Sequence, residues 1–211
     1  MEKEISIIEK LASSLKRRDE VPNQELAQEI VLSKNKKAIK ELVENLSSKK
    51  TIQNDCIKVL YEIGMQEPRM IADYVHEFVK QLNTKNNRLQ WGIMIALNTI
   101  SKERPEEIYD VLPHILNVAD KGSVITKDHA VNILIKLSSV EGYADNAFTL
   151  LIEQLLKSPE NQLPAYPEKT IPVVNGKNKK LFVKTLNTRL ADIEVDTKRK
   201  RIERVIKKIG Q

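Results

Sequence analysis

A step of 37 residues constrains this chain more than any other feature of its sequence. Moving forward by that step from the segment 55–64, Cys56 lands on Ile93 and then Ala130. Ile57 lands on Met94 and Val131, Val59 on Ala96 and Ile133, Leu60 on Leu97 and Leu134, and Ile63 on Ile100 and Leu137. Every one of these positions is apolar. Within each copy they recur at offsets 0, 1, 3, 4 and 7, the stripe of a helix that buries one face. A helix with one such stripe cannot bury it alone, so neighbouring copies must stack.

The segments ahead of these helices follow the same step more loosely. Val75, Phe78, Val79 and Leu82 map onto Leu112, Ile115, Leu116 and Ala119. One copy earlier the step is 36, with Leu42, Val43 and Leu46 matching Phe78, Val79 and Leu82. Pro68 and Pro105 open the first helix of a pair, where a missing N–H costs nothing. Glu106 and Glu107 then suit the positive helix end. Thr51, Asn86 and Thr126 are the expected N-caps of the second helices.

The layout predicted is a leading helix near 3–17, a short helix near 23–32, and pairs at 36–48 with 53–65, 69–82 with 87–102, and 106–119 with 127–140. A single helix follows near 144–157. Composition agrees: 30% of residues are charged and only six are Gly, which favours helices with polar faces in water over turn-rich β structure. Residues 158–176 hold four prolines (Pro159, Pro164, Pro167, Pro172) and cannot be one helix. We expect a loop or linker there, the alternative being a small hairpin of Ile171–Val174 with Leu181–Val183 around Asn175-Gly176. Two last helices follow near 178–192 and 197–209, with Asp196 or Thr197 capping the second.

Paired helices of this combined length resemble the HEAT-like, armadillo-type repeat family over residues 36–157. The resemblance implies an all-α fold, a right-handed α-solenoid of antiparallel helix pairs. It divides the chain into a repeat array at 1–157, a Pro-rich stretch at 158–176 and a basic helical cap at 177–211. The family often places an Asp in the turn within a repeat and a basic residue early in the second helix. Here only Asp120 and Lys127 approximate that, and Gln53 and Gln90 stand at the earlier positions.

Such families mostly bind. The resemblance implies that the second helices line a concave face, so their non-core columns form ladders across it. The column Asn54, Trp91, Asp128 is polar except for the single tryptophan, and the column Lys58, Ile95, Asn132 is polar except for Ile95. Trp91 and Ile95 are i and i+4 and share a helix face. The expected binding site is therefore an apolar spot, Trp91 and Ile95, ringed by Asn54, Lys58, Asp128 and Asn132, taking a protein partner. The opposing reading tucks Trp91 against a first helix or loop as core. HEAT-like DNA-repair enzymes are a third resemblance, with Asp128 as the acid, but a near-neutral body with one tryptophan argues against them.

Charge singles out a second surface. Residues 176–211 hold 12 Lys/Arg against 4 Asp/Glu, whereas the rest of the chain is nearly balanced. Lys198, Arg199, Lys200, Arg201, Arg204, Lys207 and Lys208 crowd the last helix, beside an Ile202, Val205, Ile206, Ile209 stripe that can dock it as a cap. The basic face is then free for nucleic-acid phosphates or an acidic protein or membrane surface, and Lys198–Arg201 resembles a nuclear-import signal.

No catalytic motif is visible: there is no Gly-rich phosphate loop, no nucleophile elbow and no Cys–His signature. Cys56 is the only cysteine, which excludes an internal disulfide and a Cys-based zinc cluster. His76, His114 and His129 form no ligand-spaced pair, so the expectation is no metal and no cofactor. The start of the chain reads as a poor signal peptide, and no apolar run reaches the ~20 residues of a membrane span. A cytoplasmic protein is the expectation.

Overall fold

The computed structural model describes residues 6–210, all of whose regular structure is helical. The helices are α1 (Val21–Ser33), α2 (Lys36–Glu44), α3 (Lys50–Gln66), α4 (Val75–Lys80), α5 (Asn87–Ile100), α6 (Pro105–Asp110), α7 (Leu112–Lys121), α8 (Val124–Leu137), α9 (Ala144–Lys157), α10 (Ala165–Thr170), α11 (Lys179–Leu190) and α12 (Asp196–Gly210). The chain divides into two compact units, Met1–Ala130 and Val131–Gln211.

In the first unit α3 is the centre, packed against α1, α2 and α5. The 37-residue columns explain why. Cys56, Val59, Leu60 and Ile63 of α3 and Ile93, Met94, Ala96, Leu97 and Ile100 of α5 are all fully buried. Gly92 makes the close approach possible, because a Cβ there would stand 2.6 Å from Cγ1 and 2.9 Å from Cγ2 of Ile57. In the second unit α11 packs on α9 and α12, and α10 on α12. Phe148 and Phe182 meet edge to face there, their ring centroids 6.2 Å apart.

The second helices of the pairs form where periodicity places them, and the first helices are interrupted. The expected helix at 69–82 consists of 3-10 turns at Pro68–Met70 and Ala72–Tyr74 followed by α4. The expected helix at 106–119 breaks at Val111 into α6 and α7. Pro113 supplies the reason: it has no N–H to donate to the carbonyl of Tyr109, four residues back.

The leading helix is a correction. Of its described part only Ile7–Lys10 is helical, as a 3-10 turn, and residues 3–5 lie outside the described residues. Side chains from elsewhere take the amide protons that a helix would need. Asn23 Oδ1 accepts from Ala12 N at 3.0 Å, and Asp55 Oδ2 accepts from Ser13 N at 2.8 Å.

The capping pattern also differs. Thr51 lies inside α3, and Asn86 precedes α5 without a side-chain cap. Instead Asn86 Nδ2 donates to Gln53 Oε1 at 3.1 Å and Asn54 Oδ1 at 2.9 Å, tying the start of α5 to α3. At α8, Ser123 Oγ accepts from Thr126 N while the Thr126 hydroxyl bonds back to the Ser123 carbonyl.

The Pro-rich stretch is more ordered than a linker. It contains α10 and a 3-10 turn at Ile171–Val173. Pro167 falls in the first turn of α10, where its lacking N–H has no helical partner to lose. The hairpin alternative is not formed, since Leu181–Val183 belong to α11 and no strand occurs among the described residues. Asn175 turns the chain into α11 instead, its Oδ1 accepting from Lys177 N at 2.9 Å.

Candidate functional site

A pocket of roughly 290 Å³ opens between α3 and α5. Trp91 and Ile95, one turn apart on α5, line it together with Asn54, Ile57 and Lys58 of α3, and Ile125 adds to the apolar lining. Both Trp91 and Ile95 are half-buried. The lining thus unites four of the six residues expected from the sequence: Asn54, Lys58, Trp91 and Ile95. Asp128 is not among the lining residues, and Asn132 falls in the other unit.

The polar side of the pocket is a charge network that the 37-residue columns do not contain. Lys58 is only 8% exposed. Its Nζ lies 2.6 Å from Glu62 Oε1 and 2.9 Å from Glu20 Oε2, and 4.8 Å from the centre of the Tyr61 ring. Arg88 reaches the other oxygen of Glu20 at 2.7 Å. Glu62 sits four residues after Lys58, a spacing the sequence does show. Glu20 comes from the turn ahead of α1, which no repeat spacing connects to α3.

Burial works against the Lys58 charge, but bonds to Glu62, Tyr61 and Glu20 outweigh it and hold the ammonium above the usual lysine range. The Lys58 hydrogen bond keeps the Glu20 carboxyl below its ordinary value against a smaller effect of burial, with the Lys58 and Arg88 charges adding to it. Burial pushes the Tyr61 phenol up. Lys58 is therefore a fixed cation, not an amine available to attack a carbonyl or take a proton. Two cations and two carboxylates leave the wall neutral. The pocket can accept an apolar side chain against Trp91 and Ile95 and offers polar contacts at its rim.

The histidines are separate. His76 Nε2 lies 3.9 Å from Glu107, His114 Nε2 is 3.1 Å from Asn83 Oδ1, and His129 Nδ1 is 3.2 Å from Asn98 Nδ2. Among the described residues no three His, Cys, Asp or Glu side chains gather as a metal site. Cys56 is on the buried face of α3, and burial, with Asp55 and Glu41 adding to it, pushes its thiol up to about 12.

On α12 much of the expected basic surface is used within the second unit. Arg201 grips Glu168 through Nε at 2.8 Å and Nη2 at 2.6 Å, and Lys198 lies 3.7 Å from Glu160. Arg199 donates to the Ile193 carbonyl at 2.7 Å, and Arg204 to the Lys200 carbonyl at 3.2 Å. Lys200, Lys207 and Lys208 stay exposed. Ile202 and Val205 are buried, and no helix among the described residues is long and apolar enough to cross a membrane.

The sequence matches no protein-family model and no curated protein. A crystal structure of an engineered protein from the Northeast Structural Genomics Consortium is similar to it over 98% of this chain and 97% of that one, at 19% identity and a TM-score of 0.57. At that identity the likeness concerns the fold alone.

Proposed function

We propose that this chain is a non-enzymatic binding module of the HEAT-like type, a right-handed α-solenoid of antiparallel helix pairs, that takes a protein partner in the α3–α5 pocket. One observation carries the reading. The single tryptophan of the chain is left half-buried in a pocket instead of being packed into the core, with Ile95 beside it. Aromatic side chains surrounded by polar groups that exclude water are the usual energetic centres of protein interfaces. The neutral ion-pair wall supports a protein partner over a polyanion, since Lys58 and Arg88 are already matched by Glu20 and Glu62. The locked Lys58 ammonium supports a binding role over catalysis. A cytoplasmic setting belongs to the same proposal.

Affinity capture from the source cells tests it, comparing the wild-type chain with Trp91→Ala. A partner enriched by the wild type and lost with Trp91→Ala, while circular dichroism stays the same, supports the reading. A partner retained at equal yield contradicts it.

A further inference from the structure

The unit Val131–Gln211 holds 15 Lys/Arg against 9 Asp/Glu, so the whole net charge of the chain, +6, resides there. Within the α11–α12 pair this charge is unevenly placed. Asp192, Glu194 and Asp196 stand at the turn joining the two helices, and it is near this end that Arg189, Lys198 and Arg201 find carboxylates. The opposite end is different. The start of α11 lies against the end of α12, since Gly176, Lys179, Lys180 and Val183 line a shallow cavity of roughly 340 Å³ with Gly210.

That juxtaposition gathers Lys177, Lys179, Lys180 and Lys184 with Lys207 and Lys208. Among the described residues none of the six forms an ion pair, and five are exposed, with Lys179 half-buried. Among them stands Leu181, 45% exposed, in the first turn of α11, with Lys184 three residues after it on the same helix face and Lys177 in the turn just ahead of the helix. An uncompensated cluster of this size creates a local positive potential that attracts anions.

We propose that this end of the α11–α12 pair docks on an anionic membrane surface, the lysines facing lipid phosphates and carboxylates and Leu181 entering the headgroup layer. The cluster falls in the range of about 4–8 basic residues that holds a peripheral protein on acidic lipid. The apolar residue at its centre decides between polyanions. An exposed leucine gains nothing on a phosphodiester backbone, but is buried when it enters the lipid interface. The six cations of the cluster are all lysines, point charges without the planar fork that reads bases, and no aromatic ring accompanies them for stacking. Arg199, Arg201 and Arg204 of α12 are held by Glu168 and by backbone carbonyls, so of the basic residues that the sequence places on the last helix this surface keeps Lys207 and Lys208.

Co-sedimentation of the full chain with vesicles tests the proposal. The probes are phosphatidylcholine vesicles with about 30 mol% phosphatidylserine, phosphatidylcholine alone, and a short DNA duplex as the competing polyanion. The wild type is expected to pellet with the anionic vesicles only, and less so as salt is raised. The combined Lys180→Glu, Lys184→Glu, Lys207→Glu and Lys208→Glu variant should lose at least about tenfold in vesicle affinity. Leu181→Ser, an exposed change that spares every charge, should weaken vesicle binding several-fold and leave any duplex binding unchanged. Circular dichroism confirms that both variants fold. Equal binding to both vesicle types, or charge-reversed and wild-type chains that pellet alike, overturns the proposal. Duplex binding without vesicle binding also overturns it, and assigns the cluster to nucleic acid.

Discussion

Lys58 Nζ lies 2.9 Å from Glu20 Oε2, so the turn that leads into α1 is tied to the middle of α3 at the edge of the Trp91 pocket. Lys58 is nearly buried whereas Glu20 is partly exposed, and Glu62 and Arg88 complete the network. Glu20→Gln is therefore expected to change the acid side of the stability profile. Lys58 holds the folded-state carboxyl below the ordinary glutamate value of 4.5, so its contribution is fully present above that pH and is lost as pH falls through the lower folded value. Urea unfolding at a series of acidic pH values should show a shallower loss of stability in Glu20→Gln than in the wild type.

Gly92→Ala probes the contact that closes α3 against α5. The new methyl meets two carbons of the Ile57 side chain at under 3 Å, and Ile57 is β-branched and buried, so it has little room to turn away. Overpacking of this kind costs about 1–3 kcal/mol, which exceeds the helix-propensity gain of roughly 0.5–1 kcal/mol. Chemical denaturation should report a net loss of stability.

Arg189 is the corresponding point in the second unit. It is 8% exposed and donates to the carbonyls of Leu155 and Leu156 at 2.6 Å and of Ser158 at 2.9 Å, closing the end of α9, while Asp192 Oδ2 accepts from its Nε at 2.9 Å. Arg189→Ala removes the donor from three carbonyls, two of them buried, and should destabilise by about 2–4 kcal/mol in urea unfolding. Arg189→Lys cannot span the same acceptors with one ammonium, so it should recover only part of the loss.

Cys56 reports on opening of the α3 core. Its thiol is fully buried and pushed up to about 12, chiefly by burial, so thiolate is scarce at neutral pH. Dithiodipyridine should label the native chain slowly, at a rate set by unfolding, and label it promptly and stoichiometrically in denaturant. Fast labelling of the native chain would show that α3 is not sealed as described.

The second helices were legible in the sequence because their stripe is fixed by helix geometry, and columns such as Val59, Ala96 and Ile133 remain core wherever the chain bends. The first helices were not, because a single residue such as Pro113 breaks a hydrogen bond without disturbing the apolar pattern around it. The candidate site was half legible. Trp91, Ile95, Lys58 and Asn54 came from the columns, since a column exception marks a side chain the core does not need. Glu20 and Arg88 stayed hidden: Glu20 lies outside every segment that the 37-residue step relates, and nothing in the sequence pairs Arg88 with it. The basic end was legible as charge but not as a free surface. A run of charges shows total charge, but only the fold shows that Glu168 and Glu160 lie within reach of Arg201 and Lys198.

If a protein partner covers Trp91, the only tryptophan in the chain, its fluorescence reports on that pocket alone. The measurement is acrylamide quenching of Trp91 emission during titration with the purified captured partner, using a partner segment that lacks tryptophan. A partner seated on Trp91 should give a blue-shifted emission and reduced quenching that saturate together with binding measured by calorimetry. Saturable binding with unchanged emission and unchanged quenching would contradict it, placing the interface elsewhere on the chain.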